Sequence, residues 1–502
     1  MLRKIRVILA AVFFTLITLL LLDFTGATHC WLGWMAKVQF LPAVLALNVG
    51  VIVGLLVLTL IFGRIYCSVI CPLGVFQDIV SWIHGRRKKN RFTYSKEKRW
   101  LRYPILVVYV VAIVAGVGSI VALLAPYGTY GRFVNSLLQP LYLWANNGLA
   151  WIATKADSYM FYSADVWLKG IAPFVVSVVI IVVVAVLAWR NGRTWCNTIC
   201  PVGTMLSFFA RFSWFKIHFD DDKCRNCSLC TKNCKAACID FKSHKVDYSR
   251  CVTCGVCLDH CHFDALHYGH PKAKKSAAPA PAKPEADKQA KPASEARRAV
   301  LLGTAIVAAD VALAQASKKV DGGLAVLEPK KDPGRKTPLT PPGSMSASNM
   351  SEHCVGCQLC VAQCPNGVLR PSSDPMHFMQ PTMSYDRGAC RPECTHCSQV
   401  CPAGAIKPIT VDEKSSIQIG HAVWRKKYCV VVTDQVQCGN CARHCPSGAI
   451  QMVPSDPADD TSAKIPVVNV EKCIGCGMCE YVCPARPNTG IYVEGHEVHK
   501  II

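Results

Sequence analysis

The chain has 502 residues, 51% of them hydrophobic, with 30 cysteines and a formal net charge of +22. That length exceeds one domain, and the positive mean hydropathy excludes a wholly soluble, charge-rich protein. The positive charge is not a nucleic-acid footprint, because much of it lies between two apolar runs and in a linker near residue 280.

In chain order, residues 7–22, 41–62, 105–126 and 171–189 form apolar runs near the about 20 residues that a bilayer crossing needs, the first a little short. They predict an α-helical four-span transmembrane unit over residues 1–215. Asn48 is the one strongly polar side chain in the second run. Between the second and third runs, residues 86–102 carry nine basic side chains against Glu97 alone. That loop, with Arg3, Lys4 and Arg6 at the start, is expected on the cytoplasmic side. The nearly neutral connection between the third and fourth runs holds Trp144, Trp151 and Trp167 as interface anchors.

A motif occurs twice in this unit. Gly63-Arg64-Ile65-Tyr66-Cys67 to Cys71-Pro72-Leu73-Gly74 is echoed by Gly192-Arg193-Thr194-Trp195-Cys196 to Cys200-Pro201-Val202-Gly203. Each proline is placed to open a helix, with apolar residues at helical spacing behind it: Leu73, Phe76, Val80 and Ile83, then Val202, Met205, Phe209 and Phe212. These helices are expected to lie along the membrane face. Cys67, Cys71, Cys196 and Cys200 could share one metal or cluster, form two redox-active thiol pairs, or be structural; no quinone site can be placed beyond them.

Residues 216–270 hold Cys224, Cys227, Cys230, Cys234 and Cys251, Cys254, Cys257, Cys261, both spaced Cx2Cx2Cx3C. A short loop with that spacing wraps three thiolates around a [4Fe-4S] cubane, and the fourth comes from another group. An α+β ferredoxin-like two-cluster module follows, pairing Cys224, Cys227 and Cys230 with Cys261, and Cys251, Cys254 and Cys257 with Cys234. Cys30 and Cys238 are left over and read as buried or incidental thiols, not ligands.

Residues 271–296, rich in Ala, Pro and Lys, cannot bury a core and read as a disordered linker. Residues 297–316 begin with Arg297-Arg298 and end Ala314-Gln315-Ala316, the pattern of a twin-arginine export signal or a fifth span. An alanine-rich soluble helix, which Asp310 favours, is the alternative; export is preferred because a cluster-loaded domain must cross already folded. A second linker is expected over 317–350.

Residues 351–495 carry four more groups: Cys354, Cys357, Cys360, Cys364; Cys390, Cys394, Cys397, Cys401; Cys429, Cys438, Cys441, Cys445; and Cys473, Cys476, Cys479, Cys483. Their order suggests nested pairing, with Cys483 completing the Cys354 triplet, Cys364 the Cys473 triplet, Cys445 the Cys390 triplet and Cys401 the Cys429 triplet. The six groups take twenty-four cysteines, and neither a disulfide scaffold nor structural zinc has reason to repeat this spacing.

The repeated GRxxCxxxCPxG followed by a two-cluster ferredoxin makes residues 1 to about 270 resemble NapH-type membrane polyferredoxins, to which NosR and MauN are related. Residues from about 296 to 490 resemble the exported four-cluster ferredoxins of the NapG and MauM type, so the whole looks like a fusion of the two. Cys234 and Cys261 depart from the pattern, being followed by Lys235 and His262 instead of proline. The resemblance implies a multi-pass protein of the bacterial inner membrane with six [4Fe-4S] clusters, the first module cytoplasmic and the second periplasmic. It also implies a quinol dehydrogenase-type component that oxidises quinol from the membrane pool and passes electrons to a periplasmic reductase or cytochrome. Two other roles fit: a NosR- or MauN-like accessory protein supplying electrons for maturing or reactivating a periplasmic metalloenzyme, and a conduit from a soluble cytoplasmic donor.

Overall fold

The computed structural model describes residues 2–87, 92–270, 320–321, 325–326 and 328–502. The linker over 271–296 and the arginine-led segment over 297–316 lie outside them. Residues 270–328 form a unit of their own, in which Val320–Asp321 pairs with Ala325–Val326.

The first half is helical: α1 (Leu2–Leu22), α2 (Val49–Phe62), α3 (Pro72–Arg87), α4 (Arg99–Val114), α5 (Pro126–Phe133), α6 (Ile171–Asn191) and α7 (Pro201–Ala210). Among the described residues α1 and α6 are long and apolar enough to cross a membrane. The second and third apolar runs are broken, contrary to the expectation of continuous spans. Leu47 turns left-handed (φ 52°), and the Asn48 side chain accepts the Val51 N–H at 3.3 Å, starting α2 afresh. Gly116 (φ 68°) breaks the third run after α4, a short helix resumes over Gly118–Leu124, and Pro126 opens the separate helix α5.

The cysteine-rich modules sit at opposite ends of this helical layer. Arg3 at the start of α1 pairs with Asp259 of the first module at 2.8 Å, while Gly26, past its far end, lies against His396 of the second. Ala46, before α2, abuts Gly404, and Phe62 O at its end accepts from Thr253 and Tyr268, both at 3.1 Å. In α4, Arg102 donates to Ser249 O at 3.1 Å, and Gly116 O beyond its other end accepts from Ser351 at 2.7 Å. Gly170, before α6, approaches Pro371, and Arg193 N, after it, donates to Lys235 O at 2.8 Å. With 21 residues, α1 is about 31 Å long at about 1.5 Å per residue, which sets the thickness of the layer between the modules.

α3 and α7 each bury one side and expose the other. Their first turns are buried (Pro72 to Val75 and Pro201 to Thr204), whereas Trp82 and Ile83 near the end of α3 are exposed. Both helices start inside the helical layer, at the motif cysteines; α7 stays buried along one side as far as Ala210 and exposes Phe208 and Phe209 on the other.

In the first module, Lys216–Phe219 pairs antiparallel with Leu266–Gly269, tying its two ends together. The second contains the antiparallel pairs Ile417–Trp424 with Ile491–Ile501, and Ile450–Asp456 with Asp459–Val468. Residues 329–350, expected as linker, are packed onto this module: Leu339 is fully buried and Arg335 forms a two-pronged pair with Glu480 at 2.6 and 2.8 Å. A proline-rich stretch can still be ordered when, as here, its apolar and charged side chains find partners.

Candidate metal centres

In the first module one cavity is lined by Cys224, Cys227, Cys230 and Cys261. Around Cys257 gather Cys251, Cys254 and Cys234. Both sets follow the swapped pairing read from the spacing. Each triplet runs into a one-turn helix, Leu229–Lys232 or Val256–Asp259, and the two helices pack together, handing each closing cysteine to the other triplet.

Cys238 is a buried thiol, and its sulfur lies 3.5 Å from that of Cys234. The hydrogen bond from Cys238 draws the Cys234 thiol below the ordinary thiol range. The missing proline after Cys234 also has a reason. Lys235 is mostly buried and reaches Asp78 of α3 at 2.6 Å, anchoring the module to the helices.

In the second module the nested pairing is wrong. Cys354, Cys357 and Cys360 surround Cys401, not Cys483. Cys390, Cys394 and Cys397 line a cavity with Cys364, not Cys445. Cys473, Cys476 and Cys479 line another with Cys445, not Cys364. Cys441 lies with Cys429, Cys438 and Cys483, not Cys401. Each closing cysteine goes to the neighbouring group. The helices Leu359–Ala362 and His396–Val400 pack together, as do Asn440–Arg443 and Met478–Val482. Neighbouring pairing closes short loops, whereas nesting would close one longer than a hundred residues at a higher entropic cost.

The four sets form a row. Cys360 interacts with Cys397, the Cys390 N–H donates to Cys476 O at 3.0 Å, and Cys479 interacts with Cys441. The Cys354 set faces the helical layer, where the buried Arg132 of α5 donates to Gly356 O at 3.3 Å. At the other end, Cys429, Cys438 and Cys441 are only half-buried, near the surface.

The motif cysteines converge inside the helical layer: every pair among Cys67, Cys71, Cys196 and Cys200 is close enough to interact electrostatically. The arginines of the two copies cross over. Arg64 donates to Cys196 O at 3.1 Å, and Arg193 donates to Cys67 O at 2.6 Å.

A further cavity lies between the helical layer and the second module, lined by Asn135, Gln139, Trp167, Lys169, Phe174 and Gln358 among others. Lys169 donates to Asn135 at 2.7 Å and to Gln139 at 2.8 Å. Burial pulls the Lys169 ammonium down to about 8, against the influence of Cys364 and Cys360 nearby. Nothing in the sequence around Lys169 marks it.

Four-cysteine pockets repeated at ferredoxin spacing define an iron–sulfur electron-transfer protein, and comparison with known proteins agrees. The 4Fe-4S binding domain matches residues 44–91 and 171–220, and the 4Fe-4S dicluster domain matches residues 353–405 and 436–486. The methylamine utilization ferredoxin-type protein MauM of Methylobacillus flagellatus is 32% identical over 165 residues, 32% of this chain and 70% of that protein. The ferredoxin-type protein NapH of Haemophilus influenzae is 26% identical over 233 residues, 44% of this chain and 68% of that protein. An uncharacterized protein of Methanocaldococcus jannaschii is 24% identical over 282 residues, 55% of this chain and 98% of that protein. The chain belongs to the polyferredoxin family of ferredoxin-type proteins that includes MauM, with NapH among its relatives.

Proposed function

We propose that the chain is a NapH-like and a MauM-like protein in one, an electron conductor that crosses the inner membrane, oxidises quinol and delivers electrons to an acceptor on the periplasmic side. The observation that carries this reading is the placement of the two cysteine-rich modules at opposite ends of α1, α2, α4 and α6, all four of which reach from one module to the other. In this reading each broken run crosses the membrane as a helix interrupted once, at Leu47 or at Gly116. The basic loop 86–102 then puts the first module in the cytoplasm.

Six cysteine sets would hold [4Fe-4S] clusters, which supply one-electron carriers where bound. The row of sets in the second module leads from the helical layer to the surface beside Cys438, the place for the acceptor to dock. The cavity around Lys169 lies at the start of that row. Its neutral amine would take a proton from quinol, with Asn135 and Gln139 holding it in place. A second reading is the NosR- or MauN-like accessory role, supplying electrons for maturing or reactivating a periplasmic metalloenzyme.

The test is anaerobic addition of menaquinol to the full chain in nanodiscs, with cluster reduction followed by EPR. Rapid reduction is expected. Clusters that dithionite reduces and menaquinol does not would overturn the quinol reading and leave the accessory role.

A further inference from the structure

Each 4Fe-4S binding domain match, over 44–91 and 171–220, contains only two cysteines, so neither half can ligate a cubane alone. The structure assembles the missing half. Cys67 and Cys71 meet Cys196 and Cys200 across a pseudo-two-fold relation, all four unbridged and each 4% exposed. We infer that these four thiols form a seventh iron–sulfur site, a cluster shared between the two halves of the helical layer.

The surroundings suit a dense negative charge. An oxidised cubane with four thiolates carries about two net negative charges, which a dry interior tolerates only with compensation. Arg64 and Arg193, both fully buried, each bring a guanidinium nitrogen to 3.8 Å from a sulfur, Cys67 and Cys196 respectively. Asp78 is the carboxylate in contact with Arg193, and it is shared with Arg6 and Lys235, leaving positive charge in surplus. The N-terminus of α7 points at the site, with Gly203 N–H donating to the Cys200 sulfur at 3.4 Å. Gly74 N–H does the same for Cys71 at the start of α3.

Polar atoms with no protein partner mark the same place. Gln77 donates to the Cys196 sulfur at 3.3 Å, and two guanidinium donors, Arg64 Nε and Arg193 Nη2, are buried and unpartnered. The Tyr109 hydroxyl, beside Cys200, is likewise buried without a partner. Buried polar groups are nearly always satisfied, and a cluster with bridging sulfides supplies acceptors that the protein lacks here. Structural thiols at a turn need none of this.

The position has a consequence for transfer. On one side Arg64 links the site to Ser249 O, and it lies near Cys251 of the first module. On the other, α3 meets α5 through Phe76 and Phe133, and α5 carries Tyr127 beside Cys357 and Cys401. The site therefore divides a layer about 31 Å thick, too wide for one electron hop, into two shorter ones. One electron enters and one leaves, with no bond made or broken in the chain.

This inference rests on the proposed path only for its role, not for its existence, and the test separates the two. Iron and acid-labile sulfide are counted in anaerobically purified full-length chain and in Cys67→Ser and Cys200→Ser variants. The expected wild-type iron is about 28 atoms per chain, seven cubanes of about four irons each, falling by about four in either variant while the ferredoxin EPR signals persist. A wild-type count near 24 that neither variant lowers would overturn the seventh site and leave the six-cluster path standing. Should the variants fail to fold, the wild-type protein decides by native alkylation and mass mapping. Cys67, Cys71, Cys196 and Cys200 protected as thiols until the iron is chelated support the site, whereas their recovery as disulfides or as freely alkylated thiols refutes it.

Discussion

Lys414 gives the sharpest handle on how the chain sets a cluster potential. Its side chain is nearly buried, and its Nζ donates to Arg391 O and Cys394 O, both at 2.5 Å, and to the Cys390 sulfur. A fixed positive charge beside the Cys390, Cys394, Cys397, Cys364 set stabilises the reduced, more negative state. At a separation of about 8 Å and an effective dielectric near 20, the charge is worth about 2 kcal/mol. For a one-electron couple about 1.4 kcal/mol corresponds to about 59 mV, so Lys414→Met is expected to lower that cluster's potential by about 90 mV. Methionine keeps the length and the apolar stem, and Lys414→Arg, which keeps the charge, is expected to hold the potential within about 20 mV. The assay is an EPR-monitored redox titration at matched iron content. An unchanged or raised potential in Lys414→Met would refute the electrostatic account.

The remaining predictions concern proton transfer, stability and pairing. Because burial depresses Lys169 to about 8, the amine is protonated below that pH and able to accept a proton above it. Menaquinol-driven reduction should thus accelerate as pH rises through about 8, and Lys169→Arg should remove the inflection in stopped-flow traces. Arg335→Ala strands the buried Glu480 beside Cys479 and is expected to cost about 3 kcal/mol, read as a lower temperature of cluster bleaching; adding Glu480→Gln should restore part of it. Cys401→Ser should expose Cys354, Cys357 and Cys360 to native alkylation, and Cys483→Ser should expose Cys429, Cys438 and Cys441; the reverse pattern would reinstate nesting.

Ligand chemistry was legible because a cubane imposes its spacing on the chain locally. All six groups and the doubled CxxxCP could be picked out, and the swapped pairing in the first module could be read since only two groups were available. With four groups the spacing is silent about which loop meets which, and packing between adjacent one-turn helices decides it. The helical runs were legible as apolar lengths but not as separate helices, since the left-handed turn at Leu47 and the Asn48 cap interrupt a stretch that stays apolar throughout. Lys235 looked like a departure from pattern and proves to be the ion-pair partner of Asp78 in another part of the chain. Lys169 and Lys414 had no local signal, because a lone lysine acquires its role only from burial. The arginines of the repeat were printed in the motif, yet their crossing required the two halves to be seen face to face.

That crossing has an evolutionary corollary. Gly74 has no room for a Cβ, which would stand 2.2 Å from Cys67 O and 2.7 Å from the Arg193 guanidinium; Gly203 mirrors it, at 2.3 Å from Cys196 O and 2.8 Å from that of Arg64. Each half thus supplies the arginine that the other half's glycine must make way for. Had the repeat arisen by gene duplication, its ancestor would have completed this arrangement only as a pair of identical subunits. Once the copies were joined in one chain, neither could drift at its Gly, Arg or Cys positions without a matching change in its twin.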